Sequence, residues 1–173
     1  MMVLGLDWDA FSAFYREALP HVYGYLLRRS GGNVAVAEDL AQEVFSAVVA
    51  DLRKGRRVEA SLPWLLGIAR HKLIDQFRRQ VRSDRMSVRG VDEEVLDAAL
   101  DTSGADARER AIAALGLIPA SHRAVLVLRY LEGCSVPEIA DALGRSVEAI
   151  ESLLARGRSR FKQAYLEGSD EHC

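Results

Sequence analysis

Between Ser135 and Phe161 the chain reads SVPEIADALGRSVEAIESLLARGRSRF, and few local folds accept that stretch. Ser135 followed three residues later by Glu138 is the pattern of a capping box, in which hydroxyl and carboxylate each take an orphan backbone N–H of a starting helix. The helix so begun is predicted to stop at Leu143, because Gly144 suits the left-handed residue that ends a helix and Ser146 can cap the next. Ile139, Ala140, Leu143, Val147, Ile150 and Leu154 are spaced to close the two helices on each other, with Ala140 and Gly144 small enough for a close crossing. The pattern predicts a helix-turn-helix whose second helix lies in a DNA groove. Yet that helix opens with Glu148 and Glu151, and the 173-residue chain carries 25 acidic against 23 basic side chains. A chain of slightly negative net charge must have some other means of holding a polyanion.

The charge is partitioned along the chain. Residues 1–82 hold 12 Lys/Arg against 9 Asp/Glu, residues 83–107 hold 2 against 7, and residues 108–173 hold 9 against 9. An acidic, Gly- and Ser-containing tract therefore separates two lobes, and like charges in a block favour solvated chain. We read residues 83–105 as a flexible linker with a short helix at Asp92–Leu100. In both lobes Ala, Leu, Arg and Glu recur at three- and four-residue spacings and no strand-length alternation occurs, so the expected fold class is all-α, two small helical domains.

In the first lobe, 7–82, Asp7 is a candidate N-cap, Pro20 is expected to break or kink the first helix, and a second piece runs His21–Arg29. Asn33 caps a helix reaching Arg53, and Ser61 caps one reaching Arg82 with Pro63 tolerated in its first turn. In the second lobe, 106–167, one helix is expected to end at Leu115 and another runs from Pro119 to Gly133.

Two more constellations carry chemistry. In AEDLAQEVF, the residues Ala37, Leu40, Ala41, Val44, Val48 and Leu52 form an apolar stripe, leaving Asp39, Gln42, Glu43 and Ser46 on the opposite surface; a plain solvated face explains this equally well. The stretch from Arg53 to Arg82 holds Arg53, Lys54, Arg56, Arg57, Arg70, Lys72, Arg78, Arg79 and Arg82, with Trp64 and His71 among them. Cations interleaved with ring side chains make a candidate phosphate track with stacking partners, against the simpler reading of a solvated helix carrying an Asp75–Arg79 pair.

These three stretches, with IPASHRAVLVLRYLEGC leading into the helix-turn-helix, occur in the order and at the separations of the extracytoplasmic-function group of bacterial sigma factors, which the chain resembles over most of residues 7–166. The resemblance implies that 7–82 is sigma region 2 and 106–167 sigma region 4. It implies that Asp39, Gln42, Glu43 and Ser46 dock on core RNA polymerase, with Phe45 supporting the helix from behind. Minus-ten DNA is expected on Arg56, Arg57, Trp64, Arg70, His71, Lys72, Arg78 and Arg79, where a flipped base costs unstacking that a cationic, ring-bearing surface offsets, and Asp75 is expected to orient a neighbouring arginine. Minus-thirty-five DNA is expected on Arg145, Ser146, Glu148, Ala149, Glu151, Ser152, Arg156 and Arg158. Members of the group commonly carry Lys where Glu151 stands and Arg where Leu153 stands; here Glu151 can accept from a cytosine amino group, leaving phosphates to Arg145, Arg156, Arg158, Arg160 and Lys162. The partners implied are core polymerase, promoter DNA and an anti-sigma factor.

Other classes fit less of the chain. A stand-alone helix-turn-helix regulator leaves AEDLAQEVF unused and lacks a dimerising element; a helical scaffold leaves the cation track unused. His21, His71, His122 and His172 have no nucleophile or carboxylate placed by motif, so no enzyme, cofactor or small-molecule substrate is expected. Cys134 and Cys173 suggest neither a disulfide framework nor a metal site, and Cys134 reads as small packing. The start lacks the basic flank of a secretory signal and no apolar run matches a membrane span, so no membrane insertion and a cytoplasmic setting are expected.

Overall fold

The structure, a computed structural model, describes residues 2–4, 8–55, 58–83 and 105–170. The Asp7 cap, Arg56, Arg57, the acidic linker with its expected helix at Asp92–Leu100, His172 and Cys173 lie outside the described residues. Seven α-helices appear among those described: α1 Trp8–Arg29, α2 Val34–Arg53, α3 Leu62–Ser83, α4 Ala105–Leu117, α5 Ala120–Leu126, α6 Val136–Leu143 and α7 Val147–Asp170. To this all-α expectation the structure adds one small strand pair, β1 Met2–Leu4 antiparallel to β2 Val58–Ala60, in register Met2 to Ala60. Three-residue strands are too short to show alternation in a sequence.

Packing divides the chain into two units, Met1–Arg28 with Asn33–Leu73, and Arg29–Gly32 with Ile74–Cys173. The division falls inside α3.

In the first unit α1 contributes buried Phe14, Ala18, Val22 and Leu26, each four residues apart. Pro20 sits within this helix and does not break it, which corrects the expected two-piece reading. Pro20 is exposed, so the Arg16 carbonyl that loses its donor can turn to water, while the apolar stripe on the other side stays buried. The α2 stripe is buried as its spacing requires, from Ala37 to Leu52 with Phe45 added. Asn33 caps α2, its side chain accepting from Val36 N at 3.1 Å. Tyr15 meets Phe45 edge to face at 4.6 Å between centroids, tying α1 to α2. Leu65, Ala69 and Leu73 of α3 are buried, and Ser61 Oγ accepts from Trp64 N at 3.4 Å at the helix start.

The second unit is built around α7, which packs on α4, α5 and α6. Gly157 allows the close approach of α5, since a Cβ there would stand 3.2 Å from Leu126 Cγ and 3.4 Å from His122. Phe161 is fully buried. Arg123 donates to the Leu115 carbonyl at 3.1 Å, serving an acceptor left open at the end of α4. The predicted regular helix from Pro119 to Gly133 instead becomes a π-helix over Val127–Leu131. There Glu132 N donates to Val127 O at 3.0 Å, one residue wider than α geometry.

The helix-turn-helix forms as read. Ser135 and Glu138 make both arms of the capping box, Gly144 sits at φ 62°, ψ 46°, and Ser146 Oγ accepts from Ala149 N at 3.3 Å. Ile139, Ala140, Leu143, Ile150 and Leu154 are buried, whereas Val147, expected in the seam, is 38% exposed. As the first residue of α7 it lies before the helix has turned its apolar face inward.

Candidate nucleic-acid interface and polymerase-facing surface

On α2, Asp39, Gln42 and Ser46 are exposed and lie opposite the buried stripe; Glu43 is half-buried. Glu43 Oε2 stands 3.3 Å from Lys72 Nζ of α3. Together with Ala47 these five residues line a surface hollow of about 670 Å³. The structure thus brings Lys72, expected on the minus-ten track, to the carboxylate face.

A second feature escaped the sequence reading. An apolar groove of about 1210 Å³ runs between α1 and α2, lined by Phe11, Tyr15, Leu19, Tyr23, Phe45 and Val49 among others, and Gln42 and Ser46 border it too. The four-residue recurrence Phe11, Tyr15, Leu19, Tyr23 was its signal. The row runs parallel to the buried stripe Phe14, Ala18, Val22 and Leu26, which has the same four-residue spacing, and lies about 60° around the helix from it.

Along α3 the positions of Trp64, His71, Arg78 and Arg82 recur every seven or four residues, on the side away from Leu65, Ala69, Leu73 and Phe77. Trp64 is half-buried; His71 and Arg79 are exposed; Arg70 is half-buried and lies off this row. The expected Asp75–Arg79 pair is met one residue earlier: Arg78 Nη1 stands 3.3 Å from Asp75 Oδ1, and Arg79 donates to Gln76 at 2.9 Å. Asp75 therefore does orient a neighbouring arginine, namely Arg78.

At the start of α7, Arg145, Ser146, Glu148 and Glu151 are exposed, and Ala149 and Ser152 half-buried. The Glu148 carboxyl is held below its ordinary range, first by a hydrogen bond from its own backbone N–H and then by the Ser146 hydroxyl, outweighing a small desolvation effect. A carboxylate in the first turn also faces the positive end of the helix dipole. Acidity here is stabilising for the helix, whatever it costs toward phosphate. Arg156 folds back on its own helix, donating to Ser152 O at 3.1 Å and Ser152 Oγ at 2.7 Å, and Arg158 is half-buried. Arg160 and Lys162 are exposed further along.

Among the described residues no group of His, Cys, Asp and Glu is placed to hold a metal ion, and no helix is long and apolar enough to cross a membrane. Cys134 is buried and forms no disulfide among the described residues, in keeping with a packing role.

Comparison with known proteins places these surfaces in context. Residues 14–83 match the family profile described as Sigma-70 region 2, and residues 108–161 match Sigma-70, region 4. The chain is similar to RNA polymerase sigma factor CarQ of Myxococcus xanthus, 31% identical over 90% of this chain and 88% of that one. It is likewise similar to ECF RNA polymerase sigma factor SigF of Caulobacter vibrioides, 31% identical over 90% and 87%. The solved co-crystal structure of the sigma factor RpoE with the anti-sigma factor NepR from Bartonella quintana aligns with 90% of this chain and 96% of that one. The identity over that alignment is 22% and the TM-score 0.46.

Proposed function

The chain belongs to the extracytoplasmic-function group of the sigma-70 family, and from that premise we infer how its residues divide the work. It is an alternative sigma factor that binds core RNA polymerase and directs promoter-specific initiation. In our reading residues 7–82 bind core polymerase and take the minus-ten element, 83–105 connect, and 106–167 take the minus-thirty-five element. The observation that supports the polymerase-facing part of this reading is the exposed polar face of α2, where Asp39, Gln42 and Ser46 lie opposite the buried apolar stripe. Glu43 would exchange Lys72 for a polymerase cation. Trp64, His71, Arg78 and Arg79 would follow the non-template strand, and Arg145 with the start of α7 would meet the upstream duplex. Arg160 and Lys162 are better exposed for phosphates than Arg156 and Arg158. The work is that of an initiation factor without catalysis, cofactor or small-molecule substrate, carried out in the cytoplasm beside the polymerase. An anti-sigma factor is the partner class proposed to restrain it.

Reconstitution with core polymerase tests this. Asp39→Arg combined with Gln42→Ala should lower core affinity at least about tenfold, roughly 1.4 kcal/mol, with an unchanged unfolding curve because both side chains are exposed. Arg79→Ala should slow open-complex formation in run-off transcription and leave core binding intact. Undiminished core binding by the double variant would overturn the reading.

A further inference from the structure

The connection between α2 and α3 is fixed at both ends. Gly55, at φ 74°, closes α2, its N–H donating to Leu52 O at 3.0 Å. Ser61 opens α3, its carbonyl accepting from Leu65 N at 3.0 Å and its hydroxyl from Trp64 N at 3.4 Å. Between these points lies β2, Val58–Ala60, which rests on α2 and is paired along one edge by β1, Met2–Leu4. Among the described residues β1 is its only strand partner. The register, Met2 to Ala60 and Leu4 to Val58, brings a segment ahead of α1 to the one that leads into α3.

Two features set β1 apart from the helices of this unit. It precedes residues 14–83, the stretch that matches region 2, so the family pattern does not include it. It also acts through backbone pairing: without a ladder the N–H and C=O groups of Val58–Ala60 would turn to water, and the strand would regain the conformational freedom that pairing removes. A two-stranded ribbon is marginal in water when isolated, so β1 biases a balance between a fixed and a wandering connection and does not lock it.

That connection sits where DNA reading is expected. Arg56 and Arg57 precede β2 in the sequence, and Trp64 follows it in the first turn of α3. We propose that β1 is a positioning element for the minus-ten site: by pairing with Val58–Ala60 it sets the path of the connection and the entry of α3, so that a flipped base meets an ordered surface. The inference rests on the minus-ten role given above to Arg56, Arg57 and Trp64. Order present before DNA arrives is order that binding need not supply, and affinity scales with the fraction of time the competent path is held.

The test uses the full chain. In an antiparallel pair successive N–H groups of a strand point alternately toward and away from the partner, so one of Val3 and Leu4 donates to β2. Val3→Pro combined with Leu4→Pro removes that donor whichever residue carries it, and Val3→Ile combined with Leu4→Val keeps both N–H groups. Each chain is assembled with core polymerase and mixed with a duplex pool randomised across both promoter elements. Complexes that survive a heparin challenge are counted and sequenced, and amide exchange is followed in the free chain. With the proline pair, amides of residues 58–60 should exchange faster and base preference at the minus-ten positions should flatten. The yield of surviving complexes should fall about tenfold, as for a connection that holds the competent path about a tenth as often. Core affinity and base preference at the minus-thirty-five positions should stay at the wild-type level, which a general loss of stability would not allow. The Val3→Ile, Leu4→Val chain should match wild type throughout. Faster exchange with an unchanged minus-ten preference would overturn the positioning role, and so would unchanged exchange, or preference lost equally at both elements. If the proline pair does not fold, a chain lacking residues 2–4 goes through the same selection and decides. A wild-type holoenzyme that selects no base at the minus-ten positions overturns the minus-ten reading, and the role of β1 with it; a wild type and a proline pair that select equally well overturn the role of β1 alone.

Discussion

At the scale of single residues, the start of α7 shows how an acidic side chain can serve a DNA-facing helix. Glu148 is ionised more readily than an ordinary glutamate because its carboxylate is hydrogen-bonded by backbone and by Ser146. A depressed carboxyl pKa means a contribution to stability that is complete above the unfolded value and is lost as pH falls through the folded one. Ser146→Ala removes the cap to Ala149 together with one of the two hydrogen bonds. The Glu148 pKa, followed by NMR titration, should then move up toward 4.5. The cap itself should cost about 1 kcal/mol in urea unfolding. A Glu148 titration unmoved by Ser146→Ala would show that the backbone alone sets it. The capping residues Asn33, Ser61, Ser135 and Ser146 were all legible in the chain, because a cap is a local bond between a side chain and an amide three residues on. The partner of Asp75 was not, since i,i+3 and i,i+4 geometries compete closely and the neighbours of Arg78 decide between them.

Elements came out of the sequence wherever an apolar stripe met a terminator. Both ends of α2, α3 and α6 fall within a residue of expectation, since Asn33, Ser61 and Ser135 start them and Gly55, the Arg82 boundary and Gly144 end them. The misses have a common cause: each depends on what lies across the helix. Pro20 reads as a breaker, but a proline costs a helix one hydrogen bond and a steric clash, and packing of Ala18, Val22 and Leu26 outweighs both. Pro20→Ala should therefore stabilise the chain, by up to about 3 kcal/mol in chemical denaturation, without altering helical content. A destabilised variant would mean that Pro20, which also lines the α1–α2 groove, earns its place there. The π-helix at Val127–Leu131 gives no sequence sign, because the choice between an i−4 and an i−5 acceptor is made by burial of Val127 and Leu128 and by the Gly133 turn that follows.

For the whole molecule the question raised by its charge has a physical answer. With 23 basic and 25 acidic side chains the free chain has little long-range attraction for DNA. Several of its arginines are also turned onto protein acceptors: Arg78, Arg123, Arg145 and Arg156. At physiological salt the isolated chain should bind duplex DNA no more tightly than about micromolar, the range of non-specific binding. In the presence of core polymerase, specific promoter retention should appear; tight specific binding by the chain alone would contradict this account. What the sequence determined by itself was set by local bonding and by period: the spans of α2, α3 and α6, the caps at Asn33, Ser61, Ser135 and Ser146, the helix-turn-helix, and the order of three motifs that marks the family. What only the tertiary structure decided was which polar side chains remain available, because Glu43 meets Lys72 and Arg78 meets Ala142 across distances in sequence that no spacing rule spans. A side chain's charge is written in the chain, but its free donors are fixed only when a second helix is brought within about 3 Å of it.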